Sequence, residues 1–70
     1  MPNYVYNKNK WDGKYHEVHT TECGYRPKLE NQVSLGWHAT CKQAILNAQS
    51  LTGQFDFDGC KHCCKECHKG

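Results

Sequence analysis

Near the end of the chain stand Gly59-Cys60-Lys61-His62-Cys63-Cys64-Lys65-Glu66-Cys67-His68, and the reading of this stretch decides how the protein is held together. From Gly59 to Gly70 there are four cysteines, two histidines and three lysines, and no aliphatic side chain. Such a segment supplies ligands rather than core. Cys60-x2-Cys63 has the spacing of a zinc knuckle, in which two thiolates on one turn reach the same ion at about 2.3 Å. The glycine before Cys60 permits the tight approach. If the turn runs on into a helix, Cys63 and Cys67 share a face at i, i+4. Cys64 and His68 then share another, rotated by about 100°. One ion uses one such pair.

A tetrahedral site needs a second pair from elsewhere. His19-x3-Cys23 is the upstream candidate, and an ion joining it to the knuckle would close a long loop, where cross-linking removes most unfolded-state entropy. The expected ligands are therefore Cys23, Cys60 and Cys63, with either His19 or Cys67 as the fourth, around one Zn²⁺. The remaining candidates have blander readings. Cys41 reads as a buried core thiol and Cys64 as a spare thiol. His16 alternates away from His19 and reads as surface, as do His38, a surface or capping residue, and His62.

The rest of the chain explains why a staple is needed. It has 70 residues, 37% of them hydrophobic, and six of those are cysteines. A core that small roughly breaks even against the entropy of ordering the chain. The whole of 1–70 is expected to form a single small domain. Residues 3–8 are β-leaning, with Tyr4 and Tyr6 on one face. Asp12-Gly13 is a hairpin-turn dipeptide, and residues 15–19 return as a second strand. After a loop over 20–32, Val33, Leu35 and Trp37 alternate as a half-buried third strand. Thr40 is an N-cap, with Gln43 completing a capping box. Cys41, Ala44, Ile45 and Ala48, continued by Leu51, form one apolar stripe, and Gly53 ends the helix. Phe55–Asp58 is a short extended piece. These elements predict an α+β fold: a small three-stranded antiparallel sheet with one main helix, stapled by a zinc site.

Nine Lys+Arg against seven Asp+Glu give +2, too little for a strong nucleic-acid or membrane field. No stretch approaches the length of a membrane span. The first residues carry no apolar run of a secretory leader, so a cytoplasmic location is expected, where thiols stay reduced and clustered cysteines argue for metal. Behind a removed leader, three disulfides would be possible in any of fifteen pairings. No catalytic constellation is present, and Glu66 is the lone carboxylate in the cluster. The expected role is a monomeric, non-catalytic module for a protein partner. Nucleic-acid contact is the alternative, through Trp11 among Lys8, Lys10 and Lys14 and through a Lys61/Lys65/Lys69 stripe. A thiol-redox or metal-responsive switch is the third reading.

Tyr15-His16 before His19-x3-Cys23, then Asn31-Gln32-Val33, a helix carrying Ala44, and Cys60-x2-Cys63 together resemble the metal-binding domain of the Ada DNA-repair protein. That resemblance spans residues 4–64. It implies a zinc scaffold with a ligand-x3-Cys pair, a strand, a helix and a Cys-x2-Cys pair. In the repair protein the first ligand is a cysteine thiolate that accepts a methyl group from a DNA phosphotriester. His19 stands at that position here, and the Arg-rich approach to the second pair is replaced by acidic Phe55-Asp56-Phe57-Asp58. The resemblance therefore implies the scaffold without the reaction.

Overall fold

A computed structural model describes residues 3–10 and 13–68. The elements are β1 (Asn3–Asn7), β2 (His16–Thr20), β3 (Gln32–Trp37), α1 (Cys41–Thr52) and β4 (Phe57–Gly59), with single 3-10 turns at Leu29–Asn31 and Lys65–Cys67. They form one sheet in the order β3-β1-β2-β4. β1 is antiparallel to both β2 and β3, whereas β4 runs parallel to β2. The sheet is thus four-stranded and mixed, not three-stranded and antiparallel as expected. The extended piece at 55–58 is the reason. Its end pairs His16 with Phe57 and Val18 with Gly59. Hydrogen bonds from His16 N to Asp56 O (2.8 Å) and from Cys60 N to Val18 O (3.0 Å) extend the pairing at both ends.

α1 begins where the cap chemistry places it. Thr40 accepts from Gln43 N at 3.2 Å, while Gln43 Oε1 reaches back to Ala39 N, one residue earlier than the reciprocal box requires. Gly53 ends the helix at φ 71°, in the left-handed region that suits glycine. Cys41, Ala44, Ile45 and Ala48 face the sheet and bury against Tyr4, Val18, Leu35, Phe57 and Cys64. Leu51 does not continue the stripe: it is 66% exposed. Phe57, fully buried, meets the ring of Tyr6 edge-on at 5.1 Å, with the His16 ring 5.5 Å away.

Two further expectations change. β3 carries a bulge: Tyr4 pairs with Gly36 but Val5 with Ser34, which leaves Leu35 as the extra residue. Gly36 takes φ 77° there. The bulge shifts the alternation, so Leu35 is buried while Trp37 is half exposed. His16 is not a surface residue. Its Nδ1 donates to Asn7 O at 2.8 Å, and its ring packs against both Tyr6 and Phe57. It does point away from His19, as strand alternation requires. Trp11, Asp12 and Lys69, named above for stacking, the turn and the basic stripe, lie outside the described residues. No helix among the described residues is long and apolar enough to cross a membrane.

Candidate metal centre

The sheet face away from α1 carries the ligands. Val5 and His19 are cross-strand partners, both buried, on the side opposite Tyr4 and Val18. The parallel pairing of β2 with β4 then decides the site. Because Val18 stands beside Gly59, the next residues, His19 and Cys60, fall side by side on the same face. Cys23 arrives from the turn that leaves β2. Its N–H donates to Thr20 O at 3.1 Å, and its carbonyl accepts from Arg26 N (3.2 Å) and Arg26 Nη1 (2.8 Å). Cys63 follows on the turn after Cys60, which is closed by Cys64 N donating to Cys60 O at 2.8 Å.

One donor atom from each of His19, Cys23, Cys60 and Cys63 lies within 4.8 Å of all the others. The Cys23 and Cys60 sulfurs are 4.0 Å apart. A tetrahedral ion with bonds of about 2.3 Å to sulfur requires sulfurs about 3.8 Å apart, whereas a disulfide requires about 2.05 Å. The spacing suits coordination. His62 N–H points at Cys60 Sγ at 3.4 Å, as a knuckle amide does toward a thiolate.

His19 supplies the sharpest test of fit. Its side chain is buried, and Nδ1 has no hydrogen-bond partner. An orphaned buried nitrogen is costly in a finished fold. Its Nε2 lies 3.5 Å from Glu17 Oε1. A carboxylate near one ring nitrogen and no partner on the other is compatible with metal ligation by this histidine. Burial lowers the His19 pKa, which keeps the imidazole neutral and its lone pair available. Burial, and then the hydrogen bond with Cys23, push the Cys63 thiol well above its ordinary value. Burial raises Cys64 to about 11. A bound divalent cation reverses this bias for its own ligands, by stabilising the thiolate.

Cys67 does not join this cluster; His19 does. The tail after Cys63 turns instead of continuing as an α-helix, so the i, i+4 pairing of Cys63 with Cys67 never forms. Cys67 is disulfide-bonded to Cys41 at a Cα–Cα distance of 6.5 Å. Cys41 is buried as expected, yet it is not a free thiol. Cys64 is free and buried in the core, its Sγ 4.0 Å from that of Cys63. His38 stays away from the cluster and donates from Nε2 to the β3 carbonyl Leu35 O at 2.8 Å, whereas Thr40 caps α1. His62 is exposed and stacks on Tyr25, ring centroids 3.8 Å apart. His68 Nδ1 donates to Gly59 O at 3.1 Å and lies 3.6 Å from the buried Asp58 carboxylate.

Reading from sequence missed Glu17, although its place two residues before His19 on one strand face was available as a signal. It also missed the Cys41–Cys67 bond and the Tyr25–His62 stack, which join distant segments and leave no local trace. Beside the cluster runs a groove of about 890 Å³ whose lining includes Tyr15, Tyr25, Arg26, Lys28, Lys61 and His62. Fold and site together define a small α+β domain with a buried Cys3His cluster able to hold a metal ion. No protein-family model, curated protein or solved structure matches the chain.

Proposed function

We propose that the chain is a non-catalytic interaction module whose ligand face is organised by one zinc ion. The observation that carries this is the convergence of His19, Cys23, Cys60 and Cys63, together with a buried His19 whose Nδ1 has no hydrogen-bond partner. Zinc is favoured by the donor set, since three thiolates and one imidazole at tetrahedral spacing suit it. Four protein ligands close the coordination sphere, and a closed zinc acts on structure rather than on substrate. What supports an Ada-like scaffold is the order of a His19-x3-Cys23 pair at the end of a strand, a further strand, a helix, and a Cys-x2-Cys pair. Against the methyl-accepting step stands the imidazole of His19 at the position where that step needs a thiolate; a gain of one methyl group on Cys23, Cys60 or Cys63 after incubation with methylphosphotriester DNA would overturn this. On this reading a monomer presents the face to a protein partner.

The test is metal stoichiometry. Protein prepared without chelator should carry one zinc by native mass spectrometry. Cys60→Ser and Cys23→Ser should lose both the metal and amide NMR dispersion, while Lys65→Ser retains both. A metal-free protein with unchanged dispersion, or full zinc content in Cys60→Ser, would falsify the reading.

One observation favours a second reading, contact with single-stranded nucleic acid. The Tyr25–His62 stack stands among Arg26, Lys28 and Lys61 in the groove, and flat rings among cations can stack bases. Retention on immobilised oligonucleotide that collapses with added salt would separate it from a protein partner.

A further inference from the structure

The Cys41–Cys67 disulfide joins the first residue of α1 to the segment that supplies Cys60 and Cys63. That segment has few other holds on the helix side. It contains no aliphatic residue, and it meets the hydrophobic cluster through sulfur alone: Cys64 lies inside it, with Cys63 and Cys67 packed against it. Beyond Cys60 N→Val18 O, its backbone hydrogen bonds close on itself, from Cys64 N to Cys60 O, from Cys67 N to Cys64 O and from His68 N to Lys65 O. Two of the four clustered donors therefore ride on a short turn whose far end is fixed to α1 by one covalent bond.

We propose that this disulfide is a redox latch on the metal centre. The inference rests on the reading of the cluster as a metal site. Closed, the latch holds the 60–67 turn in place, so that Cys60 and Cys63 are already positioned when the ion arrives, and less ordering entropy opposes binding. Open, the turn keeps the Cys60 N–Val18 O hydrogen bond, the His62–Tyr25 stack, its internal hydrogen bonds and the packing of three sulfurs, but loses its covalent hold on α1, and the ion must order more of its far end. Cys67 is half-buried whereas Cys41 is fully buried, so an external dithiol attacks Cys67 Sγ. Its thiolate forms a mixed disulfide there, the Cys41–Cys67 bond breaks, and Cys41 leaves as a thiolate from the N-terminal residue of α1, where the helix end favours negative charge. The second thiol of the reductant then displaces Cys67 and closes its own disulfide. Two electrons and two protons have passed from the dithiol to Cys41 and Cys67. The freed Cys41 thiol has an acceptor in place, Glu66 Oε1 at 3.3 Å.

Coupling of this kind is reciprocal. If the closed latch tightens metal binding, bound metal must make the disulfide harder to reduce. A tenfold coupling corresponds to a midpoint potential about 30 mV more negative with metal than without.

The experiment measures zinc affinity by chelator competition in the wild-type chain, with the disulfide intact and after reduction by a trialkylphosphine. The phosphine takes up the oxygen of water as it is oxidised and brings no thiol to compete for the ion. The expected result is affinity weaker by about fivefold or more in the reduced form, within the usual range of coupling between sites. The Cys41→Ala/Cys67→Ala double variant should bind like the reduced form whether or not phosphine is present. Equal affinity in both redox states, or tighter binding after reduction because the freed thiols join the ion, overturns the latch and leaves the metal centre standing. No zinc in either state overturns both.

Discussion

Gly59 is where backbone geometry and site chemistry meet. A Cβ at this position would lie 2.6 Å from Cys67 Cβ, 2.7 Å from Cys64 O and 2.9 Å from Cys67 C. Two of those atoms are backbone and the third belongs to a disulfide, so none can yield cheaply. The residue beside it, Cys60, must keep its place next to His19. Gly59→Ala should therefore destabilise the fold by about 1–3 kcal/mol, the usual cost of overpacking, and weaken metal binding as well. Gly24→Ala is the control: it has open space and should be nearly neutral. Urea denaturation with parallel zinc titration reads both effects, and a Gly59→Ala protein as stable as the parent would show that the tail can shift freely.

At the scale of elements, α1 was legible because its signals are local. Thr40, the i, i+3, i+4 stripe and Gly53 each act within one or two turns, and the helix runs from Cys41 to Thr52 as those signals require. Thr40→Ala removes the acceptor for Gln43 N and should cost about 1 kcal/mol. The loss should appear as a lower urea midpoint with an unchanged slope; an unchanged midpoint would mean that packing alone holds this helix end. β4 was not legible as a strand. Three residues carry too little periodicity, and its partner β2 lies some forty residues upstream. The bulge in β3 was equally silent, so the exposure of Trp37 was misjudged although the strand itself was correctly placed.

Across the whole molecule, long-range links tie a small core together. The candidate metal site brings together Cys23 and Cys60, 37 residues apart, and the disulfide spans 26, worth about 3–4 kcal/mol in a chain-entropy account. A further link is ionic: Lys10 pairs with Asp56 and so fastens the loop after β1 to the entry of β4. The hydrogen bond from Lys10 leads the causes that hold the Asp56 carboxyl below its ordinary value. Because the folded-state pKa is depressed, this contribution is complete above about pH 4, the unfolded carboxylate value, and fades as pH falls through the lower one. Asp56→Asn should flatten that part of the acid limb in urea midpoints measured from pH 5 to 2. An acid limb identical to the parent's would remove the pair from the ledger.

Residue types and short spacings, by themselves, pointed to a chain that needs a staple, to Cys60-x2-Cys63 and Cys23 as candidate ligands with His19 or Cys67 beside them, and to one capped helix between Cys23 and Cys60. Those properties depend on neighbours within a few positions, and the physics of caps, stripes and turns operates at that range. Which of His19 and Cys67 stands with Cys23, Cys60 and Cys63 belonged to the tertiary structure. It depends on β4 lying parallel to β2, which sets His19 beside Cys60, and on a tail that turns instead of coiling, which delivers Cys67 to Cys41. Both outcomes follow from pairings across more than twenty residues of chain, where spacing says which atoms are available and only packing decides which of them meet.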